Sequence, residues 1–279
     1  MASETGIHQG HKGVPIHWRL DRPDGAGAPR ALVLVSHGVA EHMGRYQHVS
    51  DALVAAGYAV ARLDHRGHGA SGGPRVFVER FGDYVTDLHA VLGVVKLRVG
   101  APKTFLLGHS MGGLIAIHHL LAHPGAVDGA VVSGPALGLS LAVPAWKDAL
   151  GKVMSTVWPK LAIPTGVDPG LVSRDPAVVS AYANDPQVTK KATARWYTEL
   201  LAAQKDANER ALELGGPLLV LVGGLDKLVS VSAIERWFPR VAAQDKTIIP
   251  YPALYHEVMN EPEKDVVLGD IRRWLDARS

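Results

Sequence analysis

The sequence predicts an α/β protein: one mostly parallel sheet flanked by helices and interrupted once by a helical insertion. Two observations carry this. Short Val- and Leu-rich runs, such as Ala31–Ser36 and Pro217–Val222, alternate with helix-length amphipathic segments, and such alternation implies βαβ crossovers and parallel pairing. The alternation stops at Pro135 and resumes after about Arg195, so the stretch between reads as a cap on one core. At roughly 150 residues per domain, a chain of 279 residues would make nearly two. The pattern instead assigns 1–134 and 197–279 to a single core and 135–196 to the inserted cap.

Each element has its own signal. Val14–Leu20 is expected to be a strand paired with the segment before it across His11-Lys12-Gly13. Ala31–Ser36 is a short, Val-enriched apolar run that suits a strand buried on both faces. Tyr46–Ala56 reads as a helix closed by Gly57, and Tyr58–Leu63 as the next strand. In Phe81–Val99 the residues Tyr84, Leu88, Val91, Leu92 and Val95 fall on one stripe, the mark of a long amphipathic helix. Thr104–Leu107 is a strand, Met111–His123 a helix stopped at Pro124, and Val127–Ser133 a strand. Beyond Pro135 no strand is convincing; Pro144, Pro159, Pro164, Pro169, Pro176 and Pro186 divide the chain into short helical pieces. One of them, Ala145–Leu161, puts Trp146, Leu150, Val153, Val157 and Leu161 on one face, and a helix follows at about Ala192–Ala203. The core resumes with a strand at Pro217–Val222, a helix near Ser232–Phe238, a strand near Lys246–Pro250 and a closing helix at Glu263–Leu275.

Composition removes several classes of function. Hydrophobic residues make up 47% and charged residues 20%, a globular balance. The 29 Lys and Arg against 27 Asp and Glu leave +2, and the densest basic run is Lys190–Lys191 with Arg195 nearby. That is too thin for a nucleic-acid partner. The absence of cysteine removes disulfides, Cys-zinc sites, Fe–S clusters and a thiol nucleophile. The N-terminal residues lack the pattern of a signal peptide, and no apolar run is long enough to span a membrane. The expectation is a cytoplasmic protein; nothing in the sequence sets an oligomeric state.

The strongest chemical signal is Gly108-His109-Ser110-Met111-Gly112, between a strand and a helix. In G-x-S-x-G the serine sits on a sharp strand-to-helix turn, and the flanking glycines let the two elements approach. A serine hydroxyl is a weak nucleophile and needs a base, oriented in turn by an acid. In this architecture the acid and then the base follow the serine in chain order. Asp128, Asp148, Asp168, Asp175, Asp185, Asp206, Asp226 and Asp245 all qualify by order. Function in open α/β sheets lies beyond the C-terminal strand ends, and Asp226, just after the Pro217–Val222 strand, is the candidate there. His256 is the one histidine after it. An oxyanion formed on attack needs backbone donors: Met111 N–H and, from the loop after Ala31–Ser36, Val39 N–H, with Gly38 allowing close approach.

At this point the chain resembles the monoacylglycerol lipases of the α/β-hydrolase superfamily, the lysophospholipase-like or serine-aminopeptidase-like group. His37–Tyr46 is similar to that family's HGxxEHxxRY loop, Asp64–Ser71 to its DxRGHGxS turn, and Gly108–Gly113 to GHSMGG. Ser173-Arg174-Asp175-Pro176 and Tyr255-His-Glu-Val-Met-Asn-Glu-Pro262 resemble its cap and catalytic-histidine segments. The resemblance implies an eight-stranded sheet with helices on both faces, an inserted helical cap, and hydrolysis of a glycerol monoester to fatty acid and glycerol. It implies no metal and no cofactor. Two departures stand out: Lys227 follows the candidate acid and is expected to point to solvent, and Val39 is bulkier than the small residue common there.

The remaining polar residues read mostly as structural. Glu41, His42 and Arg45 are expected to hold the oxyanion loop, and His65 and His68 to order the turn beside the pocket. His119 and His123, four apart on a helix, lack a third ligand in the sequence and read as surface or packing histidines. Apolar cap residues, in Ala136–Val143 and at Trp146, Met154, Trp158 and Leu161, are expected both to pack the cap and to line an acyl pocket or touch a lipid surface. Gly38, His109, Leu137 and Trp146 are the candidate substrate contacts. The partners implied are a small lipid ester and, transiently through the cap, a membrane or micelle. Rival readings are a carboxylesterase or lysophospholipase, an acyltransferase or perhydrolase, and a non-catalytic receptor on the same fold.

Overall fold

A computed structural model describes residues 1–25, 27–140 and 144–279. In chain order its elements are β1 (Ala2–Gln9), β2 (Pro15–Arg22), β3 (Leu32–Ser36), α1 (Gln47–Ala55), β4 (Ala59–Leu63), α2 (Gly82–Val99), β5 (Thr104–His109), α3 (Met111–Ala122) and β6 (Gly129–Ser133). They continue as α4 (Ala145–Val157), β7 (Ala162–Pro164), α5 (Pro176–Asn184), β8 (Lys191–Thr193), α6 (Ala194–Glu209), β9 (Leu218–Gly223), α7 (Val231–Trp237), β10 (Lys246–Tyr251) and α8 (Lys264–Asp276). The eight-stranded sheet runs β1-β2-β4-β3-β5-β6-β9-β10. β1 pairs antiparallel with β2 and β2 antiparallel with β4; every other pairing is parallel.

Strand periodicity explains the two layers that cover the sheet. On β3, Leu32 and Leu34 point to one face and Val33 and Val35 to the other, and all are buried. The first face packs against Leu88 and Val91 of α2, Leu114 and Ile117 of α3, Trp196 of α6 and Trp237 of α7. The second packs against Val49 and Leu53 of α1 and Val267, Ile271 and Trp274 of α8. Two-sided burial is why these strands carry apolar runs rather than alternating patterns.

Sheet order also decides where the loops meet. The chain leaves β3 toward β4 on one side, and β5 lies on the other. Loops after β3 and β5 therefore open side by side at a switch point, the place where parallel sheets form clefts.

Residues between β6 and α6 lie outside the sheet. Here the structure corrects three expectations. The insertion does hold strands: β7 and β8 pair antiparallel, Ala162 opposite Thr193 and Pro164 opposite Lys191. Three-residue strands are too short to show a period in the sequence. The helix expected over Ala145–Leu161 ends at Val157, with Leu161 beyond it. The boundary expected at 196/197 falls inside α6, one continuous helix that packs on both α4 and α3. Of the apolar stretch Ala136–Val143, residues 141–143 lie outside the described residues.

Candidate active site

Ser110 sits between β5 and α3 with φ 52° and ψ −115°, a backbone region costly for any residue with a side chain. Packing holds it there. A Cβ on Gly112 would lie 2.0 Å from the Ser36 carbonyl oxygen, and one on Gly108 would lie 2.4 Å from that of Gly112. Only a bare backbone lets α3 start this close to β3 and β5. The Ser110 N–H donates to Ser133 O at 2.9 Å, and its carbonyl accepts from Ala136 N at 3.0 Å. The nucleophile turn is thus fixed from β6 as well.

Asp226 and His256 come from the loops after β9 and β10. His256 Nδ1 lies 2.6 Å from Asp226 Oδ2. The other oxygen, Asp226 Oδ1, accepts the N–H groups of Leu228 at 2.8 Å and Val229 at 2.9 Å. With both oxygens engaged, the carboxylate cannot turn away from the imidazole. Burial would raise the Asp226 pKa, but His256 and the two backbone donors outweigh it and hold the pKa below the ordinary value. Burial would likewise depress His256, but the Asp226 charge and hydrogen bond, then Glu257 and Glu41, raise its pKa above the ordinary value. Gly134 (φ 47°) closes the far side: a Cβ there would lie 3.3 Å from the His256 ring. Among the described residues no hydrogen bond within 3.5 Å joins Ser110 to His256; catalytic contacts of this kind tighten in the substrate complex.

Gly38 borders the serine, since a Cβ at this position would stand 3.3 Å from Ser110 Cβ. Val39 follows it. Neither Val39 N–H nor Met111 N–H has a hydrogen-bond partner among the described residues, and the first N–H of a helix has no partner within that helix. His109 is buried with its ring centroid 4.6 Å from that of His256. Burial, then the neighbouring His256, lowers its pKa to about 4, so it stays neutral. The structure therefore brings together Ser110, His109, Gly38, Asp226 and His256, with Val39 and Met111 beside them. Leu137 is buried in the core cluster that also holds Met111, next in the chain to Ala136, whose N–H donates to Ser110 O; Trp146 stands on α4 at 65% exposure.

Residues read from the sequence as structural have defined partners. Glu41 accepts from Gly38 N at 2.6 Å, from Tyr46 Oη at 2.7 Å and from Arg45 at 2.6 Å. His42 meets Asp185 of the insertion at 2.8 Å. His65 lies 2.9 Å from the Ser36 hydroxyl, and His68 Nδ1 lies 2.9 Å from Arg66 O. Lys227 is exposed, over the Tyr255 ring. His119 lies 3.1 Å from His89, whose ring stacks on His123. Among the described residues no group of three or more such side chains is arranged to hold a metal.

Some residues entered the sequence reading only as letters of the matched segments, with no role of their own. Glu257 takes both Arg45 nitrogens at 2.7 Å; its clues were its place after His256 and within the Tyr255–Pro262 resemblance. Gly134 had the weaker clue of a glycine closing a strand. Ser173 donates to Asn260 O at 2.9 Å, and Arg174 pairs with Glu261 at 3.0 Å. The insertion is thereby tied to the loop that carries His256.

The family model described as serine aminopeptidase, S33, matches residues 27–263. A protein named monoacylglycerol lipase from Mycolicibacterium smegmatis is 39% identical over 264 residues, 94% of this chain and 93% of that protein. A Bacillus subtilis protein named phospholipase YtpA is 33% identical over 93% of this chain and 98% of its own. The crystal structure of Paleococcus ferrophilus monoacylglycerol lipase, 30% identical, matches all of both chains with a TM-score of 0.83.

Proposed function

This chain belongs to the serine aminopeptidase S33 family of α/β hydrolases, and from that premise we propose that it hydrolyses monoacylglycerols to fatty acid and glycerol through an acyl-enzyme on Ser110. The observation that carries the reading is the buried His256–Asp226 pair, 2.6 Å apart, set at the C-terminal strand ends beside the strained Ser110 turn. Similarity to proteins named monoacylglycerol lipase supports the substrate class.

His256 Nε2 takes the Ser110 proton as the oxygen attacks the ester carbonyl, and Asp226 stabilises the imidazolium that forms. Val39 and Met111 N–H groups stabilise the oxyanion. As the intermediate collapses, the ester C–O bond breaks and His256 returns the proton to the departing glycerol oxygen. Water, deprotonated by His256, then attacks the acyl-enzyme; the bond between the acyl carbon and Ser110 Oγ breaks, the fatty acid leaves, and His256 returns the proton to Ser110. The side chains that carry these steps need no metal or cofactor.

The cap is part of the proposal. The outward side of α4 exposes Leu150, Val153 and Val157, with Trp146 and Trp158 nearby. An exposed apolar helix face of this kind suits transient contact with a micelle or membrane surface. No helix among the described residues is long and apolar enough to cross a membrane; we place the protein in the cytoplasm, at most peripheral to a membrane.

Cleavage of lysophospholipids or simple esters by the same residues is the second reading, favoured by the similarity to a protein named phospholipase. A series of 1- and 2-monoacylglycerols, from short to long acyl chains, beside lysophosphatidylcholine and di- and triacylglycerols, separates them. Monoacylglycerols are expected to be the preferred substrates. Turnover confined to acetyl and butyryl esters would exclude the lipase reading.

A further inference from the structure

The two loops that would act on the substrate carbonyl come from distant strands, β3 and β10, yet a single guanidinium joins them. Arg45 donates to Glu41 at 2.6 Å and, through both terminal nitrogens, to Glu257 at 2.7 Å. Glu41 holds Gly38 N–H, one residue before Val39. Glu257 directly follows His256 and also accepts from Asn260 at 2.8 Å. The three side chains are nearly buried. The insertion seals the arrangement. Thr189 N donates to Ala40 O at 2.9 Å, one residue after Val39, and Glu257 N donates to Val172 O at 2.8 Å. The Tyr182 ring covers the guanidinium at 4.8 Å.

A buried ion network is a poor way to gain stability, because desolvation offsets most of the attraction. A planar guanidinium that bridges two carboxylates does, however, fix distance and angle, as a lysine cannot. We propose that Arg45 and Glu257 are positioning residues for the acyl-transfer reaction: the Glu41–Arg45–Glu257 clamp sets the spacing between the Val39 oxyanion donor and the base His256. The proposal rests on the acyl-transfer reading given above. Gly38 N–H and Ala40 O, the groups on either side of Val39, are both anchored, and Gly38 O, in the same peptide plane as the Val39 N–H, lies 2.7 Å from His37 Nδ1; the clamp, the cap contact and His37 orient that N–H together.

The clamp also acts through charge. Two carboxylates and one guanidinium leave one net negative charge near the imidazole. The groups facing His256 are Asp226, Glu257, Glu41 and Arg45, with the neutral ring of His109 against it. Glu257 and Glu41 favour the imidazolium, so removal of the Glu257 charge lowers the pKa of the base.

The test compares Glu257→Gln and Arg45→Lys with wild type on a monoacylglycerol, measuring kcat, KM and the pH dependence of kcat/KM, with thermal melts to check folding. Glu257→Gln is expected to lower kcat roughly 10- to 10²-fold, the scale of a small misplacement of catalytic groups. KM should stay within about threefold, and the acid limb of the profile should move to lower pH. Arg45→Lys keeps the charge and loses the fork: kcat should fall similarly while the acid limb stays in place. If either variant unfolds, Asn260→Ala removes one hydrogen bond to Glu257, with roughly a fivefold loss in kcat expected at unchanged KM. Folded variants with wild-type kcat and an unmoved acid limb would overturn the clamp. A wild-type protein that cleaves no ester, and whose Ser110 a fluorophosphonate does not label, would instead overturn the acyl-transfer reading.

Discussion

Ser110 is held at φ 52° by neighbours that leave no room to relax. Strain of this kind costs on the order of 1–3 kcal/mol and persists only where the surroundings over-determine it. Gly112→Ala should therefore be worse than a helix-interior Gly→Ala elsewhere, because its Cβ would sit 2.0 Å from the Ser36 carbonyl. We expect a folded but destabilised variant, by roughly 1–3 kcal/mol, with a displaced serine and little activity. Wild-type stability and rate in this variant would contradict the packing argument. Ser110→Ala should lower kcat on the order of 10⁴–10⁶-fold. For His256 the sign of the pH effect follows from its environment. Its pKa is raised, and only the neutral ring can accept the serine proton. Thus kcat/KM should fall as pH drops, with the midpoint above the ordinary histidine value of about 6.5. A rate constant down to pH 5 would remove His256 as the base. At this scale the sequence was informative where chain order and strand position left one candidate, as for Asp226 and His256. It marked Glu257 only as a letter of the Tyr255–Pro262 segment, since the pairing has no meaning until the fold brings Arg45 to it from 212 positions away.

Among the elements, strands buried on both faces and the long helix α2 were legible because burial imposes a composition or a period. The insertion was not, because its pairings are short and its order comes from contacts with the core: Ser173 to Asn260, Arg174 to Glu261, Thr189 to Ala40. α6 shows the difficulty most clearly. Its buried stripe, Trp196, Leu200, Ala203 and Ala207, belongs to the core cluster, and Trp196 Nε1 reaches Met111 Sδ at 3.4 Å. A boundary drawn at its first turn divides one rigid helix. α4 has the opposite character. Val153 is 57% exposed and Val157 72%, so the apolar face read from the sequence looks outward rather than into the core. Replacing both with serine should change stability by no more than about 0.5 kcal/mol per site and should weaken adsorption to phosphatidylcholine vesicles in a sedimentation assay. Undiminished adsorption would show that α4 is not the lipid-contacting face.

Over the whole molecule, the balance of charge sets how stability responds to acid. His65, His68, His109 and His119 are buried, and burial lowers each pKa, to about 3 for His68 and His119 and about 4 for His109. They are neutral in the folded state, whereas an unfolded histidine takes a proton below about pH 6.5. The unfolded chain then binds more protons, so stability falls as pH drops through that value. Glu41 and Asp21 add to the loss at lower pH. Burial opposes their charge, but Arg45 beside Glu41, and hydrogen bonds from Ser3, Arg19 and Ser50 with the Arg62 charge beside Asp21, hold both near about 2. Their contribution is present above the unfolded carboxylate range and is lost as pH falls through the folded value. His256, with its raised pKa, runs the other way. Thermal melts at constant ionic strength should therefore show Tm falling between pH 7 and 5, before most carboxylates titrate. An unchanged Tm over that window would contradict the buried-histidine account.

The central claim is that ester cleavage passes through an acyl group on Ser110 and that His256 drives its formation and release. The most direct measurement is peptide mapping by mass spectrometry of protein quenched with acid during turnover of a long-chain monoacylglycerol. The account predicts an acyl adduct of the substrate's mass on the peptide containing Ser110, absent in Ser110→Ala. Turnover with no adduct at Ser110, or an adduct on a different residue that persists in Ser110→Ala, would contradict it.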